Sequence, residues 1–257
     1  MLSLVNYVKM SYGLTSVIQN SLSVWIGVIF PFFRPKWIEL KNGLFFKNRW
    51  KNSDLFILKE VFFDQLYSPP FFSIWTHDVV VDIGGQMGAF SIYASQYTKN
   101  KIYSFEPFDE NYLLFEENVQ KNSIVNICIE KYGLGDSKKE IDLYIHPKNS
   151  WGHSIYHKSE MPQQVQKKSI LLDRFDDFFQ RNWLERIDFM KIDCEWAEYD
   201  IILNMNHQVL SKIVKIAMEI ETFWDKKPET IIQFLEANGF KCAQMWGSLF
   251  AINTKYL

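Results

Sequence analysis

The spacing of apolar residues divides the chain into a helical opening, a hairpin, and a long alternation of strands and helices. Residues 1 to about 35 read as helical and turn at Pro31 and Pro35. Trp37–Leu40 and Leu44–Phe46 flank Asn42-Gly43, a dipeptide that favours a tight hairpin. Ser53 or Asp54 is placed to cap a helix running to about Phe63, and Pro69-Pro70 marks a linker. From Asp78 onward the period switches repeatedly between strand and helix, which predicts a mostly parallel sheet. Strands are expected at Val79–Ile83, Lys101–Glu106, Ile124–Lys131, Ile187–Ile192 and Ile213–Ile220, with an edge strand at Ile141–Ile145. Helices are expected from about Ala89, over Asn111–Asn122, over Leu171–Phe179, and from Pro228 to Asn238-Gly239. Residues 147–163 read as a polar loop. Phe240–Ala243 and Leu249–Ile252 read as a closing hairpin. No internal repeat is visible.

Composition narrows the picture. The chain has 257 residues, 47% of them hydrophobic, enough for one domain with an extension. Its 28 basic and 30 acidic residues nearly cancel, and no long basic run exists, so a nucleic-acid partner is not expected. Cys128, Cys194 and Cys242 are odd in number and widely spaced, which argues against a disulfide framework or a cysteine zinc site and fits a reducing cytoplasm. Ser21–Phe33 is apolar but shorter than the ~20 residues of a membrane span. It reads as a docked helix, with a peripheral membrane or partner contact through residues 21–33 as the alternative. No signal-peptide pattern is expected.

The richest stretch is Val79-Val80-Val81-Asp82-Ile83-Gly84-Gly85-Gln86-Met87-Gly88, a buried strand running into a glycine turn and a helix. The next strand ends in Phe105-Glu106-Pro107. Strand, glycine turn, helix and a strand ending in an acid make half of a nucleotide-binding unit, the acid accepting hydrogen bonds from ribose hydroxyls. Gly84, Gly85 and Gly88 break the G-x-G-x-x-G dinucleotide fingerprint. Asp82 beside the turn would repel a pyrophosphate but suits S-adenosylmethionine, which carries a sulfonium and an ammonium group. An ordinary tight strand-to-helix turn is the plainer reading.

A second acidic cluster follows the Ile187–Ile192 strand. In Lys191-Ile192-Asp193-Cys194-Glu195-Trp196-Ala197-Glu198, strand alternation puts Lys191, Asp193 and, in an extended chain, Glu195 on one side. The next strand ends in Glu219-Ile220-Glu221. Carboxylates gathered at strand ends need a cation, a proton-transfer role or bound hydroxyls. Helix capping is the simpler role for Glu195 and Glu198. His153, in the polar loop, is a candidate because loops over a rigid sheet often carry function.

These blocks, in this order, resemble the FkbM-type methyltransferases. Val80–Gly88 is similar to the family's glycine turn, Ser104-Phe105-Glu106-Pro107 to its acidic strand end, and Gly133-Leu134-Gly135-Asp136 to the segment after the third strand. Lys191–Glu198 and Met218-Glu219-Ile220 are similar to its later acidic blocks, and Arg49, Ser53, Asp54 and Tyr67 echo a segment that often precedes the core. Gly85, Gln86, Trp196 and Glu221 depart from the pattern, the last standing where histidine is expected.

The resemblance covers about residues 37–255. It implies a Rossmann-like class I methyltransferase fold, α/β, with a mostly parallel seven-stranded sheet and an antiparallel last strand. A helix-and-hairpin extension over 1–70 would precede an S-adenosylmethionine-binding domain over 71–257. It implies methyl transfer to a hydroxyl, often of a sugar, a polyketide or a lipid-linked glycan. Asp82, Gly84, Gly85, Gly88, Glu106 and Asp136 would hold the cofactor. His153, Asp193, Glu195 and Glu219 would bind and deprotonate the acceptor, with Asp193 and Glu219 as the ligands if Mg²⁺ is used. Methylation of an amine usually shows an N-P-P-Y-like motif where Lys191-Ile192-Asp193-Cys194 stands, so oxygen is preferred. A nicotinamide-linked sugar oxidoreductase and a non-catalytic, membrane-associated binding module with the same fold are the alternatives.

Overall fold

Val80–Ile83 (β3), Ile102–Phe105 (β4) and Ile187–Ile192 (β9) are buried along their whole lengths, as strands covered on both faces must be. They form the centre of a seven-stranded sheet in a computed structural model that describes residues 12–50, 52–145, 165–194, 197–220 and 227–257. The other strands are Ile127–Glu130 (β5), Ile213–Glu219 (β10), Phe240–Met245 (β11) and Ser248–Asn253 (β12). The order across the sheet is β11-β12-β10-β9-β3-β4-β5. β5, β4, β3, β9 and β10 run parallel, and β12 is inserted antiparallel between β10 and β11. The predicted closing hairpin is therefore also the sheet's far edge. The chain runs outward from β3 to β5 and then resumes on the other side of β3 with β9. That reversal opens a crevice at the carboxyl ends of β3 and β9, where open α/β sheets bind ligands. The crossovers are helical: Ala89–Ala94 (α3), Asp109–Lys121 (α4), Glu198–Leu203 (α6) with His207–Leu210 (α7), and Pro228–Ala237 (α8).

A small second sheet has the order β6-β8-β7, from Gly133–Gly135 (β6), Lys139–Tyr144 (β7) and Lys167–Arg174 (β8). It corrects one expectation. Leu171–Phe179 was expected to be helical throughout, but the chain is strand through Arg174 and helical only over Phe175–Arg181 (α5). The apolar spacing of Leu171, Leu172, Phe175, Phe178 and Phe179 suits a helix. Six paired positions with β7, from Lys139↔Leu172 to Tyr144↔Lys167, override it. The predicted edge strand is β7, at the rim of this smaller sheet.

The N-terminal extension lies against the main core. Residues 12–17 and Ser21–Ile29 (α1) are helical, and Trp37–Glu39 (β1) pairs antiparallel with Phe45–Lys47 (β2) around Gly43, whose φ is +85°. One apolar cluster joins Leu14, Ile38 and Phe46 to Val80, Phe90 and Phe250. Asn118 of α4 and Asn122 at its C-cap hold β2 through its backbone: Phe45 N–H donates to Asn122 Oδ1 (2.8 Å) and Lys47 N–H to Asn118 Oδ1 (2.7 Å). Asn118 Nδ2 in turn donates to the Met87 carbonyl (2.9 Å), so the hairpin braces the glycine turn.

The expected Asp54 cap is instead a clamp. The helix Asn52–Lys59 (α2) begins ahead of Asp54, whose fully buried carboxylate takes Arg49 Nη2 at 2.7 Å and Nε at 3.1 Å. α1 docks through Val24 and Gly27, while Leu22, Ile29, Phe30 and Phe33 are exposed and Phe32 is fully so. Among the described residues no helix is long and apolar enough to cross a membrane.

Candidate active site

The site begins inside the sheet. Strand register places Ser104 of β4, Asp82 of β3 and Lys191 of β9 side by side. Asp82 is fully buried. Ser91 Oγ donates to its Oδ2 at 2.7 Å, Ser104 Oγ lies at 3.4 Å, and Lys191 Nζ faces its Oδ1 at 3.1 Å. Lys191 Nζ also donates to the Gly84 carbonyl at 2.8 Å. Burial alone lowers the Lys191 ammonium's pKa, but Asp82 and Asp193 outweigh it and the net direction is upward. Asp82, expected to hold the cofactor, has its carboxylate in the sheet interior, where it ties the glycine turn to β9. Its charge is balanced there, so the case against a pyrophosphate rests on the glycine spacing and on Glu106.

The turn is packed against protein on the sides where Cβ atoms would stand. At Gly84, with φ +83°, a Cβ would lie 1.8 Å from the Asp193 carbonyl oxygen. At Gly85 it would meet Ser104 Oγ at 2.4 Å, and at Gly88, with φ +84°, the Phe115 ring at 2.1 Å. The glycines are thus required by the fold itself, whether or not a ligand approaches. Gln86, where the resembling family has asparagine, holds φ +51°, a region that asparagine enters more easily.

Glu106 stands at the carboxyl end of β4 and is 5% exposed. Its Oε2 accepts from Gln86 N–H and its Oε1 from Phe108 N–H, both at 2.8 Å, and the Asn111 side chain bonds it as well. Burial pushes its pKa up to about 7, against the lowering effect of the Phe108 and Gln86 N–H groups. Asn111 Oδ1 also takes Arg49 Nη1 at 2.7 Å, so a chain of contacts runs from Asp54 through Arg49 and Asn111 to Glu106. A carboxyl group aimed at the turn, with lone pairs to spare, suits a ligand that presents hydroxyls.

Beyond β9, Asp193 is about a third exposed. Its N–H donates to the Ile83 carbonyl (3.0 Å), its Oδ2 accepts from Tyr67 Oη (2.8 Å), and Lys191 Nζ lies 3.6 Å away. Burial, with Asp193 and Glu219 nearby, raises the Tyr67 phenol well above its ordinary pKa, so it remains a donor. Glu60 adds a further carboxyl. It opens a π-helical turn, Glu60–Asp64, of a kind often found at functional sites. Burial raises its pKa to about 7, helped by Asp193 and Asp64. Asp193, Tyr67, Glu60 and Glu219 therefore share one electrostatic neighbourhood.

The remaining expected residues fall elsewhere. Asp136 lies after β6, exposed, with Lys139 and Ser137 as its partners; the Lys139 hydrogen bond lowers its pKa. His153 and Glu195, together with Trp196 and Glu221, lie outside the described residues. Glu198 braces the loop ahead of α6 by accepting from Cys194 N–H (2.9 Å). Among the described residues no three His, Cys, Asp or Glu side chains converge as metal ligands, and Asp193 already faces a phenol and an ammonium. This set does not fit Mg²⁺. Sequence reasoning missed Glu60 and the Asn111–Arg49 link. The one local signal was the acid–aromatic run Glu60-Val61-Phe62-Phe63-Asp64, which reads as ordinary helix.

A parallel sheet with one antiparallel strand inserted next to its edge, a glycine turn after β3 and an acid after β4 define a Rossmann-like class I methyltransferase fold. The family model described as the Methyltransferase FkbM domain matches residues 82–242, and the chain belongs to that family of methyltransferases. It is similar to "Methyltransferase 1" of Beauveria bassiana, 24% identical over 73% of this chain and 81% of that protein. It is similar to "Methyltransferase sdnD" of Sordaria araneosa, 25% identical over 72% and 81%. The crystal structure of a methyltransferase FkbM from Methylobacillus flagellatus superposes with a TM-score of 0.49 at 12% identity, covering 80% of this chain and 56% of that one.

Proposed function

We propose that the protein is an S-adenosylmethionine-dependent O-methyltransferase acting on a hydroxyl of a sugar or glycan. The observation that carries this is the division of carboxyl groups along the carboxyl ends of the strands: Glu106 at the glycine turn, Asp193 and Glu219 two and three strands away, and Glu60 beside Asp193 from its π turn. When bound, the cofactor supplies an electrophilic methyl group on a sulfonium. Glu106 would accept the ribose hydroxyls, held in place by Asn111 and by the Gln86 and Phe108 N–H groups. The acceptor oxygen gains the methyl as the carbon–sulfur bond breaks, and its proton must leave.

Asp193 orients that hydroxyl, with Tyr67 Oη fixing the carboxylate. Glu60, half protonated near neutrality, is matched to take the proton, a step worth about 10²–10⁴-fold. Incubation with methyl-labelled cofactor and a panel of pyranosides tests the reading: label should enter an ether methyl on one of them. Label appearing only on amines would overturn oxygen as the acceptor atom.

Peripheral membrane contact through residues 21–33 is a second reading. It is supported by the exposed Leu22, Ile29, Phe30, Phe32 and Phe33, and by the lack of any Asp or Glu before Glu39 while Arg34 and Lys36 stand beside the patch. Flotation with anionic but not neutral vesicles is the expected result; recovery from neither would exclude it.

A further inference from the structure

β11 and β12 pair through Met245↔Ser248, which leaves Trp246-Gly247 as a two-residue loop. Both residues are left-handed, with φ +55° and +86°. That is the type I′ pattern, for which asparagine, aspartate or glycine is the usual first residue. A bulky aromatic there is strained, and burial does not compensate it, because Trp246 is 67% exposed. Strain of this kind clusters at active sites and ligand clamps. Its neighbour is Phe71, itself 55% exposed, with ring centroids 6.2 Å apart at 47°.

The loop's position supplies the rest. Ser248 lies opposite Glu219, and Ile220 N–H points at the Gly247 carbonyl (3.5 Å), so Trp246 rises from the same carboxyl edge as the site. Phe71 follows four residues after Tyr67, which holds Asp193. Across that edge the order is Glu106, the glycine turn, Asp193, Glu219 and Trp246, following β4, β3, β9, β10 and β12. Strands are spaced about 4.8 Å apart, so the Trp246 loop lies about 10 Å from Asp193, roughly the span of two linked pyranose rings. We infer that Trp246 and Phe71 form an aromatic platform for a pyranose ring of the acceptor, whose C–H face lies on the rings while hydroxyls of that ring and of the one linked to it reach Glu219 and Asp193. This rests on the O-methyltransferase reading and names the contact that selects its acceptor.

The test exploits the turn itself. Trp246→Asn places the preferred residue in the loop, so the melting temperature should be unchanged or higher, and the thermal shift with S-adenosylhomocysteine should be kept. Trp183 is a control for an exposed left-handed tryptophan (89% exposed, φ +53°), ahead of the amino end of β9. Saturation-transfer NMR is run with maltotriose, methyl α-mannopyranoside and methyl β-galactopyranoside in the presence of S-adenosylhomocysteine. Ring C–H signals should appear with at least one of them for the wild type and Trp183→Asn. They should weaken roughly tenfold in Trp246→Asn and Phe71→Ala. Unchanged signals in Trp246→Asn, or no pyranoside contact in a wild type that binds S-adenosylhomocysteine, would overturn the platform. A missing S-adenosylhomocysteine shift would count against the cofactor reading alone, since the sugar signals and their loss are measured separately.

Discussion

Cofactor affinity should depend on pH through Glu106. The free protein holds this carboxyl at about 7, mainly because it is buried. Ribose hydroxyls donate to the ionised form, so binding should pull the pKa down and release a proton. At pH 6 about one molecule in ten carries ionised Glu106, and at pH 8 about nine in ten. Affinity for S-adenosylhomocysteine should therefore be about tenfold tighter at pH 8 than at pH 6, or ~1.4 kcal/mol. Calorimetry in buffers of different ionisation enthalpy reads both the affinity and the released proton. The ligand's own amino group adds a slope common to all variants, so the comparison is with Glu106→Gln, which should lose the protein's share. Equal slopes in the two proteins would refute the ribose role. The same shift governs stability. A carboxyl raised in the folded state contributes stability that is full below its unfolded pKa near 4.5 and lost as pH rises through about 7. Glu106 and Glu198 both follow this pattern, at roughly 3 kcal/mol each, so the unliganded protein should melt lower at pH 8 than at pH 5.

Lys191→Met should destabilise by about 3–5 kcal/mol in denaturant titrations, because it strands the fully buried Asp82; a loss below about 1 kcal/mol would show that Asp82 is satisfied by Ser91 and Ser104 alone. Gly84→Ala should fail to fold or lose several kcal/mol, since its Cβ would overlap the Asp193 carbonyl and its φ is +83°. Asp193→Ala should abolish methyl transfer while S-adenosylhomocysteine still binds, and near-normal turnover would remove Asp193 from the acceptor side.

Much of this architecture is legible in the chain because the central strands are buried on both faces and so read as continuous apolar runs. The hairpin at Asn42-Gly43 and the helix from Pro228 to Gly239 were equally readable, since Gly43 and Gly239 carry the left-handed backbone such ends require. Leu171–Arg174 reads as helix because its pairing, with β7 at Leu171 and Leu172 and with β6 at Asp173 and Arg174, is non-local. The glycine turn shows a subtler limit. Its pattern was visible, but the reason for it was only half visible: Phe115, Ser104 and the Asp193 carbonyl come from three other segments and demand glycine before any ligand is considered. Asp82 reads as a strand-end acid available to a cofactor because its partner Lys191 lies 109 residues later, in the matching row of β9. Glu60 was invisible, because only the π turn and the approach of Asp193 distinguish it from any helical glutamate.

The most direct test of the account is a thermal-shift titration with S-adenosylhomocysteine beside NAD. At one hundred times the dissociation constant, S-adenosylhomocysteine should stabilise the protein by ~2.7 kcal/mol. For a chain of this length that is a rise of roughly 5–10 °C, with no rise from NAD. A rise with NAD instead, or with neither ligand, would contradict the cofactor assignment on which the proposed chemistry depends.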